Sequence, residues 1–280
     1  MKASNRQPGV GLFELIEQAV HLLRSAPFAL LAPYFVGTLP FILAFLYFWA
    51  DMSRGAFARE HAAGAAAGMG LLFLWMKCWQ AVFAAGLRSR ITGRAPEPWT
   101  VRRGARLALT QSALQPSGLF AVPLALVTVF FFAWVYSFYQ NLTAGGGEER
   151  SLGETCKTAA TQAGLRLGQN LLLLAILFLF AVLVWLNTIL AMAALPGLLR
   201  TLFGVDSAFT QAGWHGIFNS TYLACSCALT YSFVDPLIKA VFVLRCFYGQ
   251  SIRSGDDLKA ELAGLRPLSP GAPALVASRP

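Results

Sequence analysis

Apolar residues gather in five long runs along this chain, separated by short polar stretches. The runs cover about 27–49, 65–87, 117–139, 170–195 and 217–248. Each has about the twenty residues that a helix needs to cross roughly 30 Å of hydrocarbon. The fourth is the clearest. Between Leu171 and Leu186 no side chain carries a polar atom except the indole of Trp185. At about −0.3 to −0.6 kcal/mol for each Leu, Ile, Phe or Val, that run alone favours insertion by roughly 4–8 kcal/mol. The first run holds Pro33 and Pro40, which bilayer helices tolerate when neighbours satisfy the freed carbonyls. The third closes on Trp134, Tyr136 and Tyr139, an aromatic edge suited to the headgroup level. The fifth is longer and is punctuated by Asn219, Ser220, Asp235, Pro236, Lys239 and Arg245.

The polar stretches predict helices of another kind. Over residues 9–24, Leu12, Leu15, Ile16, Ala19 and Leu23 recur at helical spacing, with Glu14, Glu17, Gln18, His21 and Arg24 on the other face. This stretch is too polar to span and is expected to lie flat on a membrane surface. Its charges also rule out reading it as a cleavable signal. Residues 99–114, with Arg102, Arg103 and Arg106, and residues 151–167, opening on a Ser151–Glu154 capping box, read as further surface helices. A short amphipathic helix followed by a span thus occurs three times, a weak repeat of architecture. The tail at 263–280 is rich in Pro, Ala and Ser and is expected to be disordered. The expectation is an all-α polytopic transmembrane helix bundle, one membrane-embedded domain over 1–262 with four to six crossings.

Composition sharpens this picture. Hydrophobic residues make up 56% of the chain and charged residues 12%, against about 25% charged in soluble domains. The 22 Lys and Arg outnumber the 13 Asp and Glu, a balance that could point to nucleic acid. However, Arg88, Arg90, Arg94, Arg102, Arg103 and Arg106 share one stretch between apolar runs, the signature of a cytoplasmic loop. No nucleic-acid partner is expected; the bilayer is. Two crossings before that loop, the N-terminus is cytoplasmic as well, in a bacterial inner membrane. The tail, with Arg253, Lys259 and Arg266, also belongs inside. Five crossings cannot satisfy both ends. Either the fifth run is two half-helices meeting at Asp235–Pro236, or the third is re-entrant.

Few side chains carry candidate chemistry. An ionisable group in mid-bilayer costs about 2.5–3.5 kcal/mol on insertion scales, so each asks for a reason. Lys77 lies inside an apolar run eleven residues before Arg88, about 16 Å from that end of a helix. Asp235 and Lys239, four residues apart with the acid first, share one helix face and can pair. Lys77, Asp235 and Lys239 therefore form a candidate intramembrane polar site, either lining a cavity for protons or a small solute or fixing helix register as a buried pair. Gly64 and Gly68 form a GxxxG spacing, a candidate helix-packing face.

The histidines, His21, His61 and His215, show no metal-ligand spacing, and the Cys225/Cys227 pair falls on different helix faces. The other cysteines, Cys78, Cys156 and Cys246, complete no disulfide framework. No nucleophile motif, phosphate loop or carboxylate pair appears, so no catalytic residue, metal or cofactor is expected.

Two stretches resemble a known group. Gly11 to Pro27 running into Gly37–Pro40, and Asp235 to Gly249 followed by Ser254 to Leu262, resemble the two ends of uncharacterised bacterial polytopic membrane proteins. These are similar in plan to the membrane domain attached to some glycerophosphodiester phosphodiesterases. The resemblance implies a multi-helix bundle with a cytoplasmic C-terminus and transfers no catalysis. The expected function is a non-enzymatic membrane scaffold or partner subunit, acting on other envelope proteins or by self-association. The alternative is a small-solute or proton-coupled transporter component built on Lys77, Asp235 and Lys239.

Overall fold

The computed structural model describes residues 11–93, 98–128, 131–146, 151–204 and 218–255. Among them the chain is all-helical, with eight helices: α1 (Leu12–Arg24), α2 (Phe28–Arg54), α3 (Ala58–Thr92), α4 (Val101–Thr128), α5 (Phe132–Ala144), α6 (Leu152–Gly164), α7 (Leu167–Phe203) and α8 (Ser220–Ser254). Four of these, α2, α3, α7 and α8, are long and apolar enough to cross a membrane. That is the pattern of a multi-pass membrane protein.

Side-chain ties between helix ends fix how the four run. Arg90 donates to the Ser25 carbonyl at 2.6 Å, and Arg88 donates to Gln250. The start of α2 and the ends of α3 and α8 therefore share one end of the bundle, called basal below. At the distal end Arg54 donates to Asn219 and Thr221 at 3.1 and 3.0 Å, joining the end of α2 to the start of α8. Within the α7–α8 pair, Trp185 donates to Ser226 at 3.0 Å and Arg245 to the Leu165 carbonyl at 2.7 Å. The four helices run up, down, up and down. α1 lies at the basal end, where Tyr248 donates to Gln18 at 2.8 Å.

The apolar stripe of α1 explains its place. Leu15 and Ala19 are buried in a core shared with Tyr34, Phe83, Leu87, Leu173, Val241 and Leu244. α2 and α3 form a tight antiparallel pair because two glycines let them approach. A Cβ added at Gly37 would collide with Trp79, and one at Gly86 with Leu30. α7 and α8 end on Gly204 and Gly255 in the left-handed region, φ 67° and 64°, where a side chain is disfavoured and glycine is the usual helix stop.

The 117–139 run does not form one span. It is divided between α4 and α5, which lie antiparallel as a hairpin: Gln115 donates to Thr143 at 3.2 Å, and the Ser117 and Tyr139 hydroxyls are 2.8 Å apart. α5 meets α8 through Lys239, Phe242 and Cys246, all in the basal half of that helix. α4 and α5 thus pair with each other alongside α8, and neither is among the helices long and apolar enough to cross a membrane. The reason is the polar content at the run's margins. Gln115, Gln140, Asn141 and Thr143 just outside it, with Ser137 inside it, are buried, and a pair of facing helices brings them against one another, α6 and α8 instead of lipid.

α8, in contrast, is unbroken through Pro236, so the half-helix alternative is not adopted. The surface helix expected over 99–114 is the first part of α4, continuous through Pro116 and Pro123. α6 begins where the capping box places it, with Glu154 N donating to Ser151 Oγ at 3.3 Å and Ser151 N to Glu154 at 3.0 Å. The 263–280 tail lies outside the described residues.

Candidate functional site

Halfway along the bundle, where lateral walls are otherwise apolar, three helices contribute polar groups to one network. α8 supplies the Asp235–Lys239 pair, with Nζ to Oδ1 at 3.5 Å and both residues 2% exposed. The i, i+4 spacing places them one above the other on the buried face, as expected from sequence. Neither charge relies on the other alone. Lys239 donates to Gln140 on α5 at 2.7 Å, and Gln80 on α3 donates to Asp235 at 3.1 Å and to the Tyr231 hydroxyl at 3.0 Å.

Lys77, one helical turn distal of Gln80, enters through the same amide: its Nζ donates to Gln80 Oε1 at 3.4 Å. The structure thus brings all three expected residues together, though Lys77 and Asp235 connect through Gln80 and not face to face. Lys77 is half-buried, and its ammonium lies 5.4 Å from the Phe73 ring centre. Two lysines stand near a single carboxylate, and the ion pair is made by Lys239.

Sequence reading missed Gln80 and Gln140. Gln80 sits inside an apolar run and Gln140 just past the end of one, and Gln80 stands three residues after Lys77, a spacing that places it on the neighbouring part of the same face. Polar residues at that offset from an intramembrane lysine were the available signal. Two further hydroxyls were not foreseeable: Tyr34 and Thr38 on α2 are buried without a hydrogen-bond partner among the described residues. Asp235 and Tyr231 lie close enough to the Tyr34 phenol to act on it electrostatically.

The other candidates fall elsewhere. Among the described residues Gly64 and Gly68 pack against nothing, since a Cβ added at either meets no atom within 4 Å. His61 sits 3.4 Å from Asp51 at the distal end, His21 is on α1, and His215 lies outside the described residues. The five cysteines are free thiols, and Cys246 donates to Asn141 at 3.1 Å. Among the described residues no group of His, Cys, Asp and Glu could hold a metal ion. A cavity of about 260 Å³ opens at the basal end between α6 and α8, lined in part by Lys157, Thr161, Gln162 and Gln250.

No protein-family model matches the chain, nor does any curated protein or any solved structure.

Proposed function

We propose that the chain is a non-enzymatic scaffold or partner subunit of the bacterial cytoplasmic membrane, with its N-terminus in the cytoplasm. The observation that carries this reading is the closure of the mid-height network. Asp235 and Lys239 are fully buried, hold each other, and each takes an amide from a different helix. A group that passes a solute along must exchange partners with it, whereas a satisfied buried network rigidifies and specifies one packing. The outer faces remain for lipid and neighbours. Leu172, Phe178, Leu179 and Leu190 on α7 are exposed, as are Phe120 and Val127 on α4, and such apolar surface marks contact with a membrane or another protein. The open Gly64–Gly68 face offers a route to self-association.

Orientation follows from the basic residues. Arg24 ends α1 and Arg88 and Arg90 end α3 at the basal end, and Arg102, Arg103 and Arg106 follow in the next stretch of sequence, while the distal turn mixes Asp51, Arg54, Arg59 and Glu60. The excess of arginine assigns the basal end to the cytoplasm. With four crossings, both ends of the described chain fall on that side. The likeness of the two chain ends to bacterial polytopic membrane proteins agrees with this plan.

A second reading rests on Tyr34 and Thr38. Buried hydroxyls without partners next to an aspartate could carry a proton step, which would make the chain a transporter component acting through Lys77, Asp235 and Lys239. Isolation in mild detergent separates the two. A stoichiometric partner or a defined oligomer is expected; a lone monomer that moves protons or solute in sealed vesicles would replace the first reading with the second.

A further inference from the structure

We infer that Lys77 is the docking point for a partner's membrane-spanning helix that carries a carboxylate at mid-bilayer depth. The inference rests on the scaffold reading and names its partner's chemistry. Lys77 stands about 16 Å inside the basal arginine rim, and its described polar contact is a neutral amide at 3.4 Å. The carboxylate nearest in the network, Asp235, is already held by Lys239 and Gln80. An intramembrane cation without an acid of its own is costly, and a carboxylate at the same depth supplies the complementary charge.

A second copy of this chain cannot be the donor. In the helices able to span, the described acids are Asp51, Glu60 and Asp235. Asp51 and Glu60 lie at the distal turn, and Asp235 is buried. The partner is a different protein with an acidic residue in mid-span.

The face around Lys77 admits such a helix. Ala63, Ala66, Gly70 and Phe73 precede Lys77 on α3 at alternating spacings of three and four, which places them in one stripe. Ala63, Ala66 and Gly70 are exposed, and a Cβ added at Gly70 meets nothing within 4 Å. Small side chains of this kind let a second helix approach closely, and the approach leads down to the ammonium. Nζ also lies 5.4 Å from the ring centre of Phe73, the preceding residue of that stripe.

The test uses the full-length protein in phosphatidylcholine vesicles with a synthetic leucine–alanine spanning helix bearing one central glutamate, association being read by energy transfer. The glutamate helix is expected to bind about tenfold tighter than its glutamine twin, the scale of a buried polar contact between membrane helices. Lys77→Arg keeps that preference and Lys77→Gln abolishes it. Moving the glutamate two turns toward either end, about 11 Å, abolishes it too. Gly70→Leu blocks the face without touching the network and is expected to weaken the glutamate helix at least several-fold; it also decides the matter if Lys77→Gln does not fold. Equal binding of the two helices, a preference that survives Lys77→Gln, or no effect of Gly70→Leu would each overturn the inference. Isolation of the native complex separates this failure from that of the scaffold reading. A partner retained by wild type and by Lys77→Gln alike removes only the lysine's role, whereas a wild-type chain that purifies alone removes both.

Discussion

The basal and distal halves of the bundle are built on different principles. In the basal half the long helices are joined by α1, the α4–α5 hairpin and α6, and the core from Leu15 to Leu244 is closed. Some polar groups there are buried and bonded across helices, as in Asn141 with the Ala159 carbonyl and Asn170 with the Ala163 carbonyl. In the distal half the same long helices continue without those additions. Leu71, Leu186, Leu190, Phe218, Leu229 and Phe233 are exposed there. Exposed apolar surface is present in the basal half too, at Leu172, Phe178 and Leu179, so the difference lies in the packed interior that the basal half adds. The mid-height network sits at the junction, and it locks the two helical pairs together where the extra packing ends.

If that lock holds the halves in register, its removal has the largest effect. Asp235→Leu leaves Lys239 buried beside a neutral residue, and breaking a buried pair in this way costs about 3–5 kcal/mol. Detergent unfolding followed by helical circular dichroism measures it. Changing both residues to leucine is expected to restore most of the loss, because the remaining charge is then gone. A loss below about 1 kcal/mol for the single change would mean that apolar packing alone aligns the halves.

Gln80→Leu tests the tie between α3 and α8. It strips one hydrogen bond from Asp235 and one from Tyr231, and buried acceptors left unmade cost about 1–3 kcal/mol. The same unfolding assay applies. A cost equal to that of Asp235→Leu would show that Gln80, not the ion pair, is the larger part of the lock.

Glycine substitutions contrast the halves directly. Gly37→Ala places a methyl against Trp79 in the packed α2–α3 contact, and overpacking of that kind costs about 1–3 kcal/mol. Gly64→Ala on the open face meets nothing and is expected to stay within about 0.5 kcal/mol in isolated protein. Matching losses would erase the distinction between the two regions.

These pairs also mark what the sequence could disclose. The Leu171–Leu186 run announces a spanning helix because nothing else accommodates that much unbroken apolar surface. The Asp235–Lys239 pair is visible because helical spacing is local. The α4–α5 hairpin was visible only as one of two ways to reconcile the basic residues at both ends, since hydropathy counts residues along the chain and says nothing about whether the path turns back. Twenty-odd apolar residues look alike as one full crossing or as two helices lying against each other. The close approaches at Gly37 and Gly86 were not legible for a related reason. The GxxxG spacing of Gly64 and Gly68 describes what a helix offers, while the contacts at Gly37 and Gly86 depend on Trp79 and Leu30 arriving from another helix. Gln80 and Gln140 gain their roles only from partners on α8 that lie far away in sequence.

The smallest expected effect concerns how separately the basal half is held. Ser151 starts α6 through reciprocal bonds with Glu154, and α6 is then fastened at its other end by Arg245, which donates to the Gln162 and Leu165 carbonyls at 3.2 and 2.7 Å. Removing a helix cap costs about 1 kcal/mol. Ser151→Ala is therefore expected to speed amide exchange in the first turns of α6 about fivefold, the factor that such an energy represents. Arg245 and the Asn141 contact still hold the remainder of the helix, so exchange at the far end of α6 and throughout distal α7 should not change. Exchange that rises along α7 as well would mean that α6 is not a basal attachment but part of one cooperative unit with the long helix that follows it.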